Sequence, residues 1–218
     1  MNTTTRFISD ILFDKEIDLV LFPAKNNDKF WDSFVKIGSS HYVIPALYYK
    51  LKERDYIKLL NDELVSYLEE IYSQNLKRNL ELVKEVNEIS KLFKSNNIDH
   101  VFLKGAALIS SLYKKSIGIR MVGDIDILIA KDQLFKAKEI LKKNGYYNPN
   151  KYDGLKGRHL PRIINHNKVF ALELHSTLLH DDSIYLKRNN LLKNKIVQKI
   201  NILNWDDFLL HIILNYQV

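Results

Sequence analysis

Apolar side chains recur every three or four residues through much of residues 1–97, which is the spacing that gives an α-helix one apolar face. Three runs carry this pattern: 30–37, 44–51 and 62–96. We expect the first run to stop at Gly38, whereas Pro45 suits the first turn of the second. Residues 4–24 are a mildly apolar lead-in that Pro23 interrupts. The pattern predicts an N-terminal helical region whose aromatic side chains either form a core, which helical spacing favours, or bind a partner.

After this region the apolar pattern changes to one of alternating strands and helices. The predicted order is strand 98–103, helix 104–113, strand 124–129 and helix 131–144. Gly145 suits the C-cap of the last helix, because glycine tolerates the left-handed conformation that often ends helices. The later segments are a loop (148–157), two strands that pair as a hairpin across 165–167 (160–164 and 168–175) and a helix (206–214).

These elements predict an α+β fold, with a small mixed sheet flanked by helices and an N-terminal helical region. The expected divisions are an N-terminal helical region (1–97), a core (98–180) and a C-terminal helical segment (181–218). The last segment either ends the chain or opens a further helical domain.

Asp124 and Asp126 open the second predicted strand. Side chains two residues apart share one face of an extended chain, so the two carboxylates project together while the intervening isoleucines take the other face. Like charges this close raise each other's pKa unless a cation lies between them, and a hard divalent ion is the usual cation. Asp-x-Asp also occurs in surface turns, phosphatases and glycosyltransferases, but in those enzymes an apolar strand precedes the pair, whereas here it follows. The pair indicates half of a magnesium site.

Lys104-Gly105-Ala106-Ala107 lies where the first predicted strand turns into a helix. A glycine at such a turn lets a phosphate approach the backbone, and the helix N-terminus supplies N–H donors and positive potential. A phosphate-binding turn beside a two-carboxylate metal site indicates nucleoside triphosphate chemistry.

The composition excludes cysteine-based sites and bears on the size, location and charge of the protein. The 218 residues are 46% hydrophobic, which is enough for one or two domains with cores, and the absence of cysteine excludes disulfides, thiolate nucleophiles and cysteine zinc sites. No apolar run approaches the roughly 20 residues of a membrane span, and the N-terminus lacks the layout of a secretory signal, so we expect a cytoplasmic protein without a membrane partner. The net charge of +7 fits either a solvated lysine-rich surface or a polyanionic partner.

Five motifs occur in order along the chain: Lys104-Gly105-Ala106-Ala107, Arg120, Gly123-Asp124-Ile125-Asp126, His159-Leu160-Pro161 and Glu173-Leu174-His175. Together they resemble the nucleotidyltransferase superfamily of DNA polymerase β-like fold, and more narrowly the bacterial nucleotidyltransferase family proteins that carry a KGAAL-type motif. The resemblance runs from Leu47 to the C-terminus. It has two departures. Ala106 replaces the usual small polar residue or second glycine, and the interval from Gly105 to Asp124 is longer than in minimal members.

The resemblance implies that Asp124, Asp126 and Glu173 are the catalytic residues and bind two Mg²⁺ ions, with Mn²⁺ as the alternative ion. A second set is implied to bind the nucleoside triphosphate: Lys104, Gly105, Ala106, Arg120 and Gly123. Glu173 has the alternative of being an ordinary surface strand residue.

Four further side chains keep two interpretations each. Lys104 and Arg120 either neutralise the β- and γ-phosphates or serve structure, Arg120 through a salt bridge to the acidic pair. His175 either donates a hydrogen bond to a metal-bound carboxylate or makes a structural one. His159 either contacts the nucleotide or acceptor or has no such role.

The activity implied is transfer of a nucleoside monophosphate from a nucleoside triphosphate, such as ATP, to an acceptor hydroxyl with release of pyrophosphate. The acceptor is a small molecule, a protein side chain or an RNA end, and the sequence chooses neither among these nor an oligomeric state. The alternative is a catalytically weak nucleotide-binding or protein-interaction module on the same fold.

Overall fold

A computed structural model of the chain describes residues 3–113, 116–150, 154–155, 157–179 and 186–215. The helices are α1 (Thr3–Leu12), α2 (Asp28–Ser40), α3 (Ile44–Glu53), α4 (Asp62–Ser95), α5 (Lys104–Ser111), α6 (Leu134–Lys143), α7 (Arg188–Lys193) and α8 (Trp205–Asn215). The strands are β1 (His100–Phe102), β2 (Asp124–Ile129), β3 (Ala171–His175), β4 (Ile196–Val197) and β5 (Asn201–Ile202). None of the helices within the described ranges is long and apolar enough to cross a membrane.

Backbone contacts divide the chain into two units. The first unit comprises Met1–Asn79 with Lys115–Met121, and the second comprises Leu80–Lys114 with Val122–Val218. Helix α4 supplies residues to both. The divisions expected from the sequence at 97 and 180 stay predictions.

The first unit is built from α1, α2, α3 and the first part of α4 around an aromatic and aliphatic core. Trp31 and Phe34 of α2 are buried with Leu47 and Leu51 of α3. The Trp31 and Phe34 rings meet edge to face with their centroids 5.6 Å apart, an arrangement that aromatic quadrupoles favour. The aromatic side chains at these positions therefore form a core, as helical spacing favoured. No helix is predicted from the sequence at α1, although buried apolar side chains recur there at helical spacing: Phe7, Ile8 and Ile11.

Gly38 does not stop α2, and this corrects the expectation from the sequence. The helix continues through Gly38 to Ser40. A Cβ at position 38 would lie 2.7 Å from Ile44 Cδ1 and 3.2 Å from Leu47 Cδ1, so the glycine makes room for the start of α3. The helices predicted over 44–51 and 62–96 are confirmed.

Two buried asparagines of α4 hold the segment 116–121 within the first unit. Asn75 Nδ2 donates to the Gly118 carbonyl at 2.7 Å, and Asn79 Nδ2 donates to the Arg120 carbonyl at 2.7 Å. The Arg120 side chain is exposed. The backbone at this predicted nucleotide-binding residue is therefore fixed by side chains of the same unit, and its role toward the nucleotide stays a prediction.

The sheet lies in the second unit and has the strand order β3-β2-β1-β5-β4. The β1–β2 and β4–β5 pairs are antiparallel, whereas the β2–β3 and β1–β5 pairs are parallel. Helices α5 and α6 contact β2 and β3. The fold is therefore α+β with a small mixed sheet flanked by helices, as predicted.

Several local expectations in the second unit need adjustment. The helix predicted to run to residue 113 ends at Ser111, and the one predicted from 131 begins as a 3₁₀ turn over Lys131–Gln133. Gly145 has φ +87°, which confirms it as the residue that ends α6. Strands β4 and β5 lie in the segment expected to be helical, and each has only two residues, too few for an apolar alternation to mark them.

Glu85 and Tyr146 form a buried hydrogen bond in the second unit. Tyr146 Oη donates to Glu85 Oε1 at 2.7 Å. Burial raises the pKa of the Glu85 carboxyl above its usual range, although the hydroxyl lowers it. A carboxyl with a raised folded-state pKa contributes stability below its unfolded pKa and loses it as pH rises through the folded pKa. The hydroxyl thus offsets part of the cost of burying the ionised group.

We expect Tyr146→Phe to lower the free energy of unfolding by about 1–3 kcal/mol at neutral pH, because the buried carboxylate loses its donor. The loss should shrink as the pH is lowered and Glu85 takes up its proton, because the protonated carboxyl no longer needs a donor to offset a buried charge. Urea unfolding at neutral and at acidic pH measures this. The matched control is Tyr147→Phe, whose hydroxyl bonds the exposed His166 instead. Equal losses in the two variants would contradict a special role for the buried pair.

Candidate active site

The three predicted acids lie on one face of the β2–β3 pair. The parallel register aligns Asp126 with Glu173 and Asp124 with Ala171. Because neighbours in register share a face and side chains alternate along each strand, Asp124, Asp126 and Glu173 project together. The opposite face is apolar and buried, with Ile125 and Leu172 on it. Strand alternation thus brings the predicted acids together from two separate parts of the chain.

Asp126 is the most deeply buried of the acids, with 2% of its surface exposed. Its Oδ1 accepts hydrogen bonds from Lys104 Nζ and from His175 Nε2, both at 2.7 Å. Burial by itself raises the pKa of Asp126, but the bond from His175 and the Lys104 ammonium outweigh burial and hold the pKa below its usual range. Asp126 is therefore a carboxylate at neutral pH despite its burial.

Arg162 bridges the other two acids. Its Nη2 lies 2.8 Å from Asp124 Oδ2 and 2.7 Å from Glu173 Oε1, and its Nε donates to the same Glu173 oxygen at 3.0 Å. The cation keeps two carboxylates side by side that would otherwise repel each other.

The pKa values of the two acids that Arg162 bridges are shifted in opposite directions. His175, whose Nε2 lies 3.6 Å from Glu173 Oε2, holds the pKa of Glu173 far below its usual range with help from Arg162, although burial opposes them. At that distance the contact with His175 is electrostatic rather than a hydrogen bond. Burial raises the pKa of Asp124, and repulsion from Asp126 and Glu173 adds to the rise. Asp124 is thus the acid that gains most from a further cation.

His175 completes a cluster that could hold a divalent ion. Donor atoms of Asp126, Glu173 and His175 lie within 4.8 Å of one another. Carboxylate oxygens are the ligands that magnesium and manganese prefer, whereas imidazole is not, so the acids suit these ions and His175 suits the role of orienting Asp126. Burial lowers the pKa of His175, but its contacts with Asp126 and Glu173 more than compensate and raise it. The chemistry of the donor set therefore fits the metal expected from the sequence.

Helix α5 begins beside these acids. The Leu103 N–H donates to the Asp126 carbonyl at 3.0 Å, which ties the start of α5 to β2. Lys104 has φ +46°, a left-handed conformation that is strained for a residue with a side chain. Gly105 and Ala106 are buried in the first turn, whose N–H groups have no acceptor within the helix. The strained turn directs the Lys104 ammonium to Asp126, and the phosphate-binding role of the turn stays a prediction.

Of the remaining predicted residues, Gly123 and His159 lie beside residues of this cluster. Gly123 directly precedes Asp124, is exposed, and has open space where a Cβ would be. His159 pairs with His175 across an isolated bridge, and the two rings have centroids 5.2 Å apart. Arg120 belongs to the first unit. The nucleotide-binding roles of Gly123, His159 and Arg120 stay predictions.

Sequence reasoning missed Arg162, because it did not predict the register in which residues 160–164 pair with β3. A hairpin closed tightly across 165–167 would set Ile164 opposite Lys168 and Arg162 opposite Phe170. The structure instead pairs Ile163 with Leu172, which places the preceding Arg162 opposite Glu173. The pairing of the two arms is confirmed, although the first arm forms only isolated bridges. A single arginine within the otherwise apolar segment 160–164 was the available signal, but it does not determine the partner.

Two comparisons with known proteins give matches. The model of a family described as uncharacterised nucleotidyltransferases matches residues 27–217. One similar solved structure is of a candidate nucleotidyltransferase from Thermotoga maritima, with 14% sequence identity and a TM-score of 0.44 over 62% of this chain and 84% of that chain. No curated protein matches the chain.

Proposed function

The chain belongs to the family of uncharacterised nucleotidyltransferases, and from this premise we propose that it moves a nucleoside monophosphate from a nucleoside triphosphate to an acceptor hydroxyl, releasing pyrophosphate. One observation carries the proposal. Asp124, Asp126 and Glu173 share one face of the β2–β3 pair, and the start of α5 is tied to the same strand.

The acids have the role of holding divalent ions. Asp126, kept ionised by Lys104 and His175, and Glu173, kept ionised by His175 and Arg162, are ready to ligate at neutral pH. Asp124 completes the set, and its raised pKa falls once a cation replaces the repulsion around it. Two Mg²⁺ ions, or Mn²⁺ in their place, would stabilise charge on the attacking and leaving oxygens and lower the pKa of the acceptor hydroxyl.

The chain's other groups bind and orient the nucleotide. Lys104, a cation next to Asp126, neutralises the β- and γ-phosphates. The first-turn N–H groups of Gly105 and Ala106 face the same phosphates, which helix N-termini favour. Glu173, ionised and beside the reacting centre, receives the proton of the acceptor hydroxyl. ATP is the first triphosphate to test.

The alternative function is nucleotide binding or partner binding without efficient transfer. The burial of Gly105 and Ala106 favours the partner-binding form of this alternative, because a buried turn has to open before its N–H groups can meet a phosphate. The test below separates the two functions.

We expect label to pass to an acceptor when the full chain is incubated with Mg²⁺, a cell extract and each α-labelled triphosphate in turn. The same triphosphate labelled at the γ-position should give labelled pyrophosphate and no labelled acceptor. A chelator should stop the reaction. Transfer of the γ-label instead would make the protein a phosphotransferase. Magnesium-dependent nucleotide binding by calorimetry without transfer would select the nucleotide-binding module, and no binding would remove both transfer and nucleotide binding.

A further inference from the structure

Arg162 lies on the side of the acidic face opposite to α5. Its segment pairs with β3 on the edge away from β2, whereas Lys104 follows β1 on the other side of β2. The acids therefore lie between two cations, the ammonium of Lys104 from the α5 side and the guanidinium of Arg162 from the outer side of β3. The proposed function assigns the first cation to the triphosphate and assigns the second no contact with either substrate.

The guanidinium uses the oxygens that a divalent ion would need. Its Nη2 contacts Asp124 Oδ2 and Glu173 Oε1 at the same time. Two cations cannot share these oxygens without strong repulsion, so an ion that binds Asp124 and Glu173 releases Arg162. The release costs little, because 53% of the Arg162 side chain is exposed and exposed ion pairs contribute little stability.

The geometry of the displacement determines which substrate the released guanidinium contacts. In an in-line displacement the attacking oxygen and the leaving group lie on opposite sides of the phosphorus. The proposed function, on which this inference rests, assigns the leaving pyrophosphate to the start of α5. The acceptor then approaches from the outer side of β3, where Arg162 lies.

We propose that Arg162 binds the acceptor, and that the acceptor carries an anionic group, a phosphate or a carboxylate, next to the hydroxyl that is modified. A guanidinium is always charged and presents a fork of N–H donors that matches both groups. His159, whose ring lies beside that of His175, adds an imidazole on the same side. In the transfer the acceptor oxygen bonds to the α-phosphorus, the bond from that phosphorus to the bridging oxygen breaks, pyrophosphate leaves with the electron pair, and Glu173 takes the hydroxyl proton.

The first test distinguishes a contact of Arg162 with the acceptor from a contact with the nucleotide. Arg162→Gln in the full chain is assayed with α-labelled triphosphate and Mg²⁺ for transfer to the acceptor in extract, and for hydrolysis without extract, where water is the acceptor. Transfer should fall about tenfold or more, the scale of a lost charge-assisted bidentate contact. Hydrolysis should stay within about twofold of wild type or rise. Arg162→Lys should be intermediate in transfer, because it keeps the charge and loses the fork.

Two controls sharpen this comparison. Lys168→Gln removes one positive charge from the same unit at its ion pair with Glu88, and it should change neither activity. Phosphatase treatment of the extract distinguishes the two anionic groups, because it destroys a phosphomonoester acceptor and spares a carboxylate acceptor.

The second test measures the release of Arg162 without any reaction. Calorimetry with Mn²⁺ and no nucleotide should give about threefold to tenfold tighter binding for Arg162→Gln than for wild type, which is the scale of two partly exposed ion pairs. Lys168→Gln should bind Mn²⁺ as wild type does.

Three results would overturn the inference while leaving the proposed function in place. Equal loss of transfer and hydrolysis in Arg162→Gln would place Arg162 on the triphosphate, loss of neither would remove Arg162 from the site, and unchanged Mn²⁺ affinity would remove the exchange between arginine and ion. A wild-type protein that neither reacts with a triphosphate nor binds Mn²⁺ would overturn the proposed function, and this inference with it.

Discussion

Asp126→Asn should reduce nucleotidyl transfer by at least about 10³-fold, because loss of a metal-binding carboxylate removes several kcal/mol of transition-state stabilisation. The buried Asp126 accepts hydrogen bonds from both Lys104 and His175, so its negative charge orients both of these side chains. Asparagine has nearly the same volume and keeps one oxygen as an acceptor for these donors. The free energy of unfolding should still fall by about 3 kcal/mol, because the buried His175 loses its charged partner, and transfer is therefore measured on protein shown to be folded. Transfer of α-label and urea unfolding of the same preparation measure the two effects.

The matched control for this variant is Asp99→Asn. Asp99 belongs to the same unit and pairs with Lys195 at 2.7 Å, away from the acidic face. Its substitution should leave transfer within about twofold of wild type. If Asp126→Asn transferred label as well as Asp99→Asn does, Asp126 would not belong to the catalytic centre.

Strand β2 was predictable to the residue because its alternation is unambiguous. Aspartates and isoleucines alternate from Asp124 to Ile127, and Leu128 and Ile129 continue the apolar run, so the strand and the shared face of its aspartates follow from the sequence. The same rule applied to β3 placed Glu173 and His175 on one face. Helix α4 was predictable because its period is long and uninterrupted. In these elements a local pattern determines both the secondary structure and the buried face.

Other features depend on pairing between distant residues, which local patterns do not encode. The parallel contact between β1 and β5 joins Phe102 to Ile202 and has no counterpart in the periodicity of either segment. The bridge from Arg162 to Glu173 depends on where a hairpin closes. The division into two units runs through the regular helix α4, where composition does not change. These features followed from tertiary packing rather than from propensity.

His175→Ala should lower the free energy of unfolding of the second unit by about 3 kcal/mol in the absence of metal, because removing one partner of a buried ion pair leaves the other charge uncompensated. His175 is buried and bonds Asp126, which keeps only Lys104 in the variant. His175→Gln should recover much of the loss, since its amide N–H can reach Asp126 in place of Nε2. Urea unfolding in the presence of a chelator measures both variants.

The His175 imidazole also makes the free energy of unfolding depend on pH. The direction of this dependence follows from the direction of its pKa shift. The pKa of His175 is raised in the folded chain, so its contribution is fully present below the unfolded pKa of about 6.5 and is lost as pH rises through the folded value. Wild type without metal should therefore lose stability from neutral to mildly alkaline pH, whereas His175→Gln, which does not titrate, should show a flatter profile. A profile of the same slope in both proteins would mean that another group is responsible. If the slopes differ, the imidazole that holds Asp126 is charged in the resting site, and the first divalent ion has to bind against that charge.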